Sequence, residues 1–181
     1  MLFRMPEYKI QNSKFKILLR AIEPSDVDFM YDVEQDPDAW KYSDYVAPLS
    51  HELLRQYALT YDADPLRAGQ LRLIIEDGGI PVGIADIFDI SARHLRADTG
   101  IYILPQYRYS GKGAAALKVL ADYCKDRLGL HQIVASVSKH NQPALRCYIK
   151  AEFVETGMRP QWWRSSQGYE DVALLMLNLE S

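Results

Sequence analysis

Cysteine is scarce in this chain of 181 residues. Cys124 and Cys147 form neither a Cys-x-x-Cys pair nor any zinc spacing, so metal and disulfide frameworks have no support and both residues are expected to pack as small apolar groups. No apolar run approaches the ~20 residues of a membrane span, and the opening Met1-Leu2-Phe3-Arg4-Met5-Pro6 lacks the hydrophobic stretch of a secretory signal. A soluble, cytoplasmic protein with no membrane partner is the expectation. His51, His94, His131 and His140 share no ligand spacing and carry no metal role. There are no repeats, and no composition shift marks a linker.

Hydrophobic residues make up 48% of the chain, enough for one core, which excludes disorder. The 21 Lys and Arg against 24 Asp and Glu leave a net charge of −3, too acidic for a generic nucleic-acid binder. That balance conceals a division. Residues 23 to 64 hold 11 acids and only two bases, Lys41 and Arg55, whereas residues 93 to 150 hold ten bases against three acids. Two ligands of opposite charge would explain the division, and so would acids coating the outward faces of early helices.

Residues 1 to 14 are polar and unpatterned, a flexible segment before a single domain at 15 to 181. Phe15, Ile17 and Leu19 open a strand ending at Arg20. Pro24-Ser25-Asp26 starts a helix that Asp36-Pro37 ends, Trp40 to Leu49 reads as a loop, and Ser50 opens a helix with Leu53, Leu54, Tyr57, Ala58 and Tyr61 as its stripe. Leu71 to Ile75 and Ile80 to Ile90 flank Asp77-Gly78-Gly79 as a hairpin. A strand from Ala97 to Leu104 precedes a turn and a helix over 111 to 128; then come a strand (132 to 137), a helix (141 to 150) and two strands (153 to 158 and 172 to 179). The order β-α-α-β-β-β-α-β-α-β-β is a mixed α/β domain.

The turn Arg108-Tyr109-Ser110-Gly111-Lys112-Gly113-Ala114 lies between strand and helix, where free N–H groups and the helix dipole favour an anion. A P-loop fails, because Gln106 stands where its first Gly is needed and Gly113 where Ser or Thr must follow Gly-Lys. The dinucleotide pattern GxGxxG/A is met, but no acid follows about 20 residues on to hold a ribose. A helix-entry loop with glycines chosen only for turning remains a reading.

Arg108, Gly111 and Gly113 also fit Gln/Arg-x-x-Gly-x-Gly/Ala, which resembles the acyl-CoA pyrophosphate loop of the GNAT superfamily of N-acyltransferases. Asn141-Gln142-Pro143-Ala144-Leu145-Arg146-Cys147-Tyr148 resembles that superfamily's Asn-x-x-Ala-x-x-x-Tyr helix, and the element order agrees over nearly the whole chain. The ending Phe153 to Gly157 followed by Gly168 to Val172 looks most like the branch of spermidine and ribosomal-protein N-terminal acetyltransferases. The resemblance implies a single-domain GNAT-like α/β fold: a mixed, largely antiparallel sheet with a central splay and about four flanking helices. One residue departs from the family pattern. Glu152 stands where a Gly normally precedes the Phe, implying either a different helix exit or strain of about 1 kcal/mol or more.

The roles follow from the resemblance. Tyr148 is the general acid for the departing CoA thiolate, although Tyr also packs into cores. Asp98 is the candidate base, on one strand face with Gly100 and Tyr102, although a solvated strand-edge acid is the plainer alternative. Backbone N–H groups of Tyr102, Ile103 and Leu104 would polarise the thioester at the open strand edge. Arg108 and Lys112, with main-chain N–H groups from Tyr109 through Ser110, Gly111, Lys112 and Gly113 to Ala114, would hold phosphates, joined by Lys150; Asn141 caps its helix and adds a polar contact to CoA. Glu34, Asp36, Trp40 and Asp44 are the candidate acceptor-binding residues, with a packed aromatic loop as the alternative.

The expected reaction moves an acetyl group from acetyl-CoA, the cosubstrate, to a small-molecule amine by direct attack, a polyamine being favoured because the acidic segment suits a polycation. A protein N-terminus is the alternative acceptor. A non-catalytic CoA-binding module is the rival of a different class. A homo-oligomer is allowed; nucleic acid and metal are not expected.

Overall fold

The computed structural model describes residues 14–43 and 46–179. In chain order its elements are β1 (Ile17–Arg20), a 3-10 turn (Pro24–Asp26), α1 (Val27–Glu34), α2 (Pro37–Lys41), α3 (His51–Thr60), α4 (Pro65–Ala68), β2 (Leu71–Asp77), β3 (Ile80–Ser91), β4 (Arg96–Ile103), a second 3-10 turn (Pro105–Tyr107), α5 (Lys112–Asp126), β5 (Gln132–Ser138), α6 (Gln142–Lys150), β6 (Val154–Ser165) and β7 (Gly168–Asn178). The strands form one seven-stranded sheet in the order β1-β2-β3-β4-β5-β7-β6. Every pairing is antiparallel except β4 with β5.

The helices lie on opposite faces of this sheet. Against one face, α5 and α6 bury Leu117, Leu120, Cys124, Leu145 and Tyr148 over Leu73, Ile75, Ile87 and Ile133. Against the other, α1 and α3 bury Met30, Val33, Leu54 and Ala58 over Ile74 and Ile84. Alternation along β2 and β3 sends neighbouring apolar residues to these two cores, which is why both strands read as continuous apolar runs. Full burial of one such side chain contributes about 1.5–3 kcal/mol.

Three local expectations change. Asp36-Pro37 ends α1 and at once begins α2: the Asp36 carboxylate accepts the Asp38 N–H, and Pro37 fits the first helical position, so Trp40 lies on a helix and not in a loop. Asp64 and Pro65 start α4 in the same way. The last hairpin is much longer than the two short strands expected, because β6 runs on through Ser165 and β7 starts at Gly168. Most of β6 is exposed on an outer edge, so it carries no apolar alternation to read. Leu53, placed in the α3 stripe, faces outward.

The decisive feature is where β4 and β5 part. They pair only through Arg96–Gln132, Ala97–Ile133 and Asp98–Val134. Beyond Asp98, β4 keeps β3 as a partner as far as Ile103, and β5 keeps β7 as far as Ser138. The sheet therefore splits down its middle, leaving β4 with one unpaired edge.

Candidate active site

A cleft of about 830 Å³ opens at this split, lined by Asp98, Thr99, Gly100 and Ile101 of β4, Ser136 to Ser138 of β5, and Asn141 and Tyr148. The Thr99 hydroxyl donates to the Val134 carbonyl at 3.0 Å, extending the last rung between the strands. Just beyond it, the Tyr148 hydroxyl donates to the Thr99 carbonyl at 3.2 Å. That carbonyl would have continued the β4–β5 ladder, so the phenol stands where the ladder stops. Burial, foremost, and the neighbouring Cys147 thiol push the Tyr148 pKa up, which keeps its proton in place.

Alternation decides which β4 groups face the cleft. Leu104 N–H donates to the Val82 carbonyl at 2.9 Å, and Tyr102 lies opposite Ile84 in the same register, so Leu104 and Tyr102 direct their N–H groups to β3. Of the three expected oxyanion donors only Ile103 faces the open edge. Ile101, two residues earlier, shares that direction and was missed.

Asp98 lines the cleft, half-buried, on the sheet face of Gly100 and Tyr102. Burial first, and the Asp89 carboxylate second, raise its pKa, while Arg96 and Arg159 pull it down. Asp86 and Asp89 of β3 line the same cleft and were missed. The available signal was two acids inside the apolar run Ile80 to Ile90.

The glycine loop is held in a specific shape. Gly111 precedes α5 with φ +96° and Tyr109 has φ +58°, both left-handed. The first intrahelical bond of α5 runs from the Ala115 N–H to the Gly111 carbonyl, so the helix itself leaves the Gly113 and Ala114 N–H groups unused. Gly113 also has a packing reason: a Cβ there would stand 2.8 Å from the Cys147 sulfur of α6. A Cβ on Gly111 would be 3.7 Å from Lys150 Nζ, which places that ammonium beside the loop. Ser110 donates to the Tyr107 carbonyl at 2.6 Å, and the Asn141 carboxamide accepts the Ala144 N–H at 3.2 Å as a helix cap.

Five of the expected ligand residues have partners within the chain. Arg108 points away from the loop, donating to Ile103 carbonyl (2.8 Å), Asp38 (2.8 Å) and Asp36 (2.9 Å). Lys112 pairs with Asp77 at 2.9 Å and lies over the Phe15 ring. Glu34, only 8% exposed, is held by Arg72 at 2.9 Å, and that guanidinium also grips Asp86 through two bonds. The Trp40 indole N–H donates to the Glu34 carbonyl, tying α2 to the end of α1. Asp36 accepts from Tyr102 and Arg108, and these bonds together with the Asp38 N–H lower its pKa although burial raises it. Buried or half-buried carboxylates need such donors. Asp44 lies outside the described residues, as do residues 1–13.

Glu152 keeps the left-handed helix exit that the family fills with Gly, at φ +74°, and pairs with Lys118. Of the two outcomes expected for this position, the structure adopts the strained one. Among the described residues no cluster of three or more His, Cys, Asp or Glu could hold a metal.

Residues 16–154 match the model described as the Acetyltransferase (GNAT) domain. The spermidine N(1)-acetyltransferase of Escherichia coli K12 is 26% identical over 145 residues, which span 80% of this chain and 76% of that protein. The crystal structure of the Vibrio cholerae spermidine N-acetyltransferase in complex with CoA and spermine superposes with a TM-score of 0.78 at 23% identity, covering 90% of this chain and 95% of that one. A dodecameric structure of the Vibrio cholerae enzyme gives 0.75 at 23% identity, with 90% and 94% covered. The family match runs from β1 through the split strands, the glycine loop and the tyrosine helix, and on it the chain belongs to the GNAT acetyltransferase family.

Proposed function

We propose that the protein transfers the acetyl group of acetyl-CoA to a primary amine, a polyamine such as spermidine being the favoured acceptor. One observation carries this reading: Tyr148 stands where the β4–β5 ladder stops, in a cleft lined both by the unpaired edge of β4 and by carboxylates of β3 and β4. The polyamine preference draws on Asp89 and Asp98 in the cleft, Asp86 being held by Arg72, and on the spermidine enzymes to which the chain is similar.

The residues fit the cofactor. Ile101 and Ile103 N–H groups would meet its acyl arm, the Gly113 and Ala114 N–H groups with Lys150 its phosphates, and Asn141 would border it. Acetyl-CoA supplies an activated thioester. Asp98 takes the ammonium proton directly or through water, which frees the nitrogen lone pair for direct attack. The Tyr148 phenol gives its proton to the leaving sulfur, and the proton that the nitrogen sheds on becoming an amide returns to the phenolate through water. A cytoplasmic location and a homo-oligomer complete the proposal, the oligomer alone being supported by the dodecameric relative.

Release of free CoA thiol, assayed with spermidine, spermine, short diamines and N-terminal peptides, tests it. Polyamines should raise release most. Peptides alone raising it would move the acceptor to a protein N-terminus. If CoA binds but no amine raises release, the chain is a binding module and not an enzyme.

A further inference from the structure

One carboxylate ties the start of the glycine loop to α2 and to the open end of β4. Asp36 Oδ1 accepts the Asp38 N–H at 2.9 Å and so caps α2, while Oδ2 accepts from Arg108 Nη2 at 2.9 Å and from the Tyr102 hydroxyl. The rest of the Arg108 fork reaches Asp38 at 2.8 Å and, through Nε, the Ile103 carbonyl at 2.8 Å, with the guanidinium 5.3 Å from the Tyr102 ring centre. Three elements that are far apart in the chain, α2, the open end of β4 and the loop before α5, therefore meet at a side chain only 14% exposed. Partial burial gives this pair more weight than a solvated ion pair would carry.

The loop needs such an anchor. Tyr109 sits in left-handed backbone at φ +58°, a conformation that persists in a residue other than glycine only when the surroundings hold it. On its far side Lys112 is fixed to Asp77 at 2.9 Å. On its near side Arg108 is fixed to Asp36. A loop ordered before its ligand arrives does not incur the ordering cost at binding.

We propose that Asp36 is a positioning residue for the cofactor: acting through Arg108, it holds the glycine loop and the end of β4 in the shape that acetyl-CoA requires. Arg108 is then a strut and not a phosphate ligand. The proposal rests on the reading that this loop receives acetyl-CoA.

The test uses the full chain with Asp36→Asn, Arg108→Gln and the double variant. Asn keeps the helix cap through its one oxygen, but its amide nitrogen takes the place of Oδ2, so it loses the acceptor for Tyr102 and Arg108 together with the charge. Each single change should weaken CoA binding, followed by calorimetric titration, about fivefold or more, and the double should be no weaker than the worse single, because both remove one interaction. KM for acetyl-CoA should rise by more than kcat falls, while KM for the amine stays close to that of the parent protein. In the cofactor-free protein, amide exchange at residues 108 to 114 should accelerate in Asp36→Asn. Effects that multiply in the double variant, an unchanged KM for acetyl-CoA, or losses spread equally over kcat and both KM values would overturn the proposal. So would tighter CoA binding in Asp36→Asn, since Arg108 would then be a phosphate ligand held back by Asp36. If the parent protein fails to bind CoA, the functional reading falls, and the exchange measurement still decides whether Asp36 holds the loop.

Discussion

The phenyl ring of Phe153 stands edge-on to the phenol ring of Tyr148, with centroids 5.0 Å apart and planes at 84°. The pair belongs to one helix ending. Phe153 N–H donates to the Tyr148 carbonyl at 3.1 Å and Glu152 N–H to that of Ile149 at 3.0 Å, a closure that needs left-handed backbone at Glu152. The strained residue thus sits inside the turn that fixes the ring of the proposed acid.

Replacing Glu152 with Gly should stabilise the protein by about 0.5–1 kcal/mol, because Gly adopts φ +74° freely and the Lys118 pair it gives up is an exposed one of small value. Chemical denaturation of Glu152→Gly and Glu152→Ala checks this: only Gly should raise the midpoint. Equal midpoints would mean that the turn bears no strain.

Tyr148→Phe should lower turnover at least tenfold, within the ~10²–10⁴-fold range of general acid–base catalysis, while CoA affinity changes little. The variant should also lose about 1–3 kcal/mol of stability, since the buried Thr99 carbonyl loses its phenol donor. Turnover equal to that of the parent protein would remove Tyr148 from the mechanism.

Asp98 has a raised pKa in the folded protein, so the folded state binds its proton more tightly than the unfolded chain does. Its contribution to stability is therefore present below the ordinary value of 3.8 and is lost as pH rises through the raised value. Asp98→Asn should accordingly be the more stable protein at neutral pH, with the advantage fading in acid. The same variant should lose the acidic limb of the kcat/KM profile along with most of the rate. Melting curves and rates across pH measure both effects, and a less stable Asn variant at neutral pH would contradict the first.

Gly113→Ala should cost about 1–3 kcal/mol, because the new methyl would meet the Cys147 sulfur at 2.8 Å on a neighbouring helix. Adding Cys147→Ala should restore much of the loss by removing that sulfur. Unfolding midpoints of the two singles and the double decide it; no rescue would place the Gly113 requirement elsewhere.

The elements and the family were legible in the chain because each depends on neighbours in sequence. Seven strands, four longer helices, the hairpin at Asp77-Gly78-Gly79 and the Asn141 cap all follow from periodicity and local turn chemistry. Tyr148 was equally legible, since its helix carries its own signature. The exposed end of β6 was not, because an edge strand bathed in solvent needs no apolar alternation.

Partner choice was decided only by the tertiary structure. Glu34, Asp36, Arg108 and Lys112 read as free charges available to a ligand, yet their partners lie 38, 66 and 72 residues away, or across the sheet at Asp77. Charge along the chain says which ligands an ion would attract; packing decides whether another side chain has already taken it. The split between β4 and β5 is of the same kind: each strand is ordinary by itself, and the open edge exists only because their ladder stops after Asp98 and Val134. The sequence determined the elements and the tyrosine helix, and the assembled sheet decided which backbone groups and which carboxylates stay open at the split.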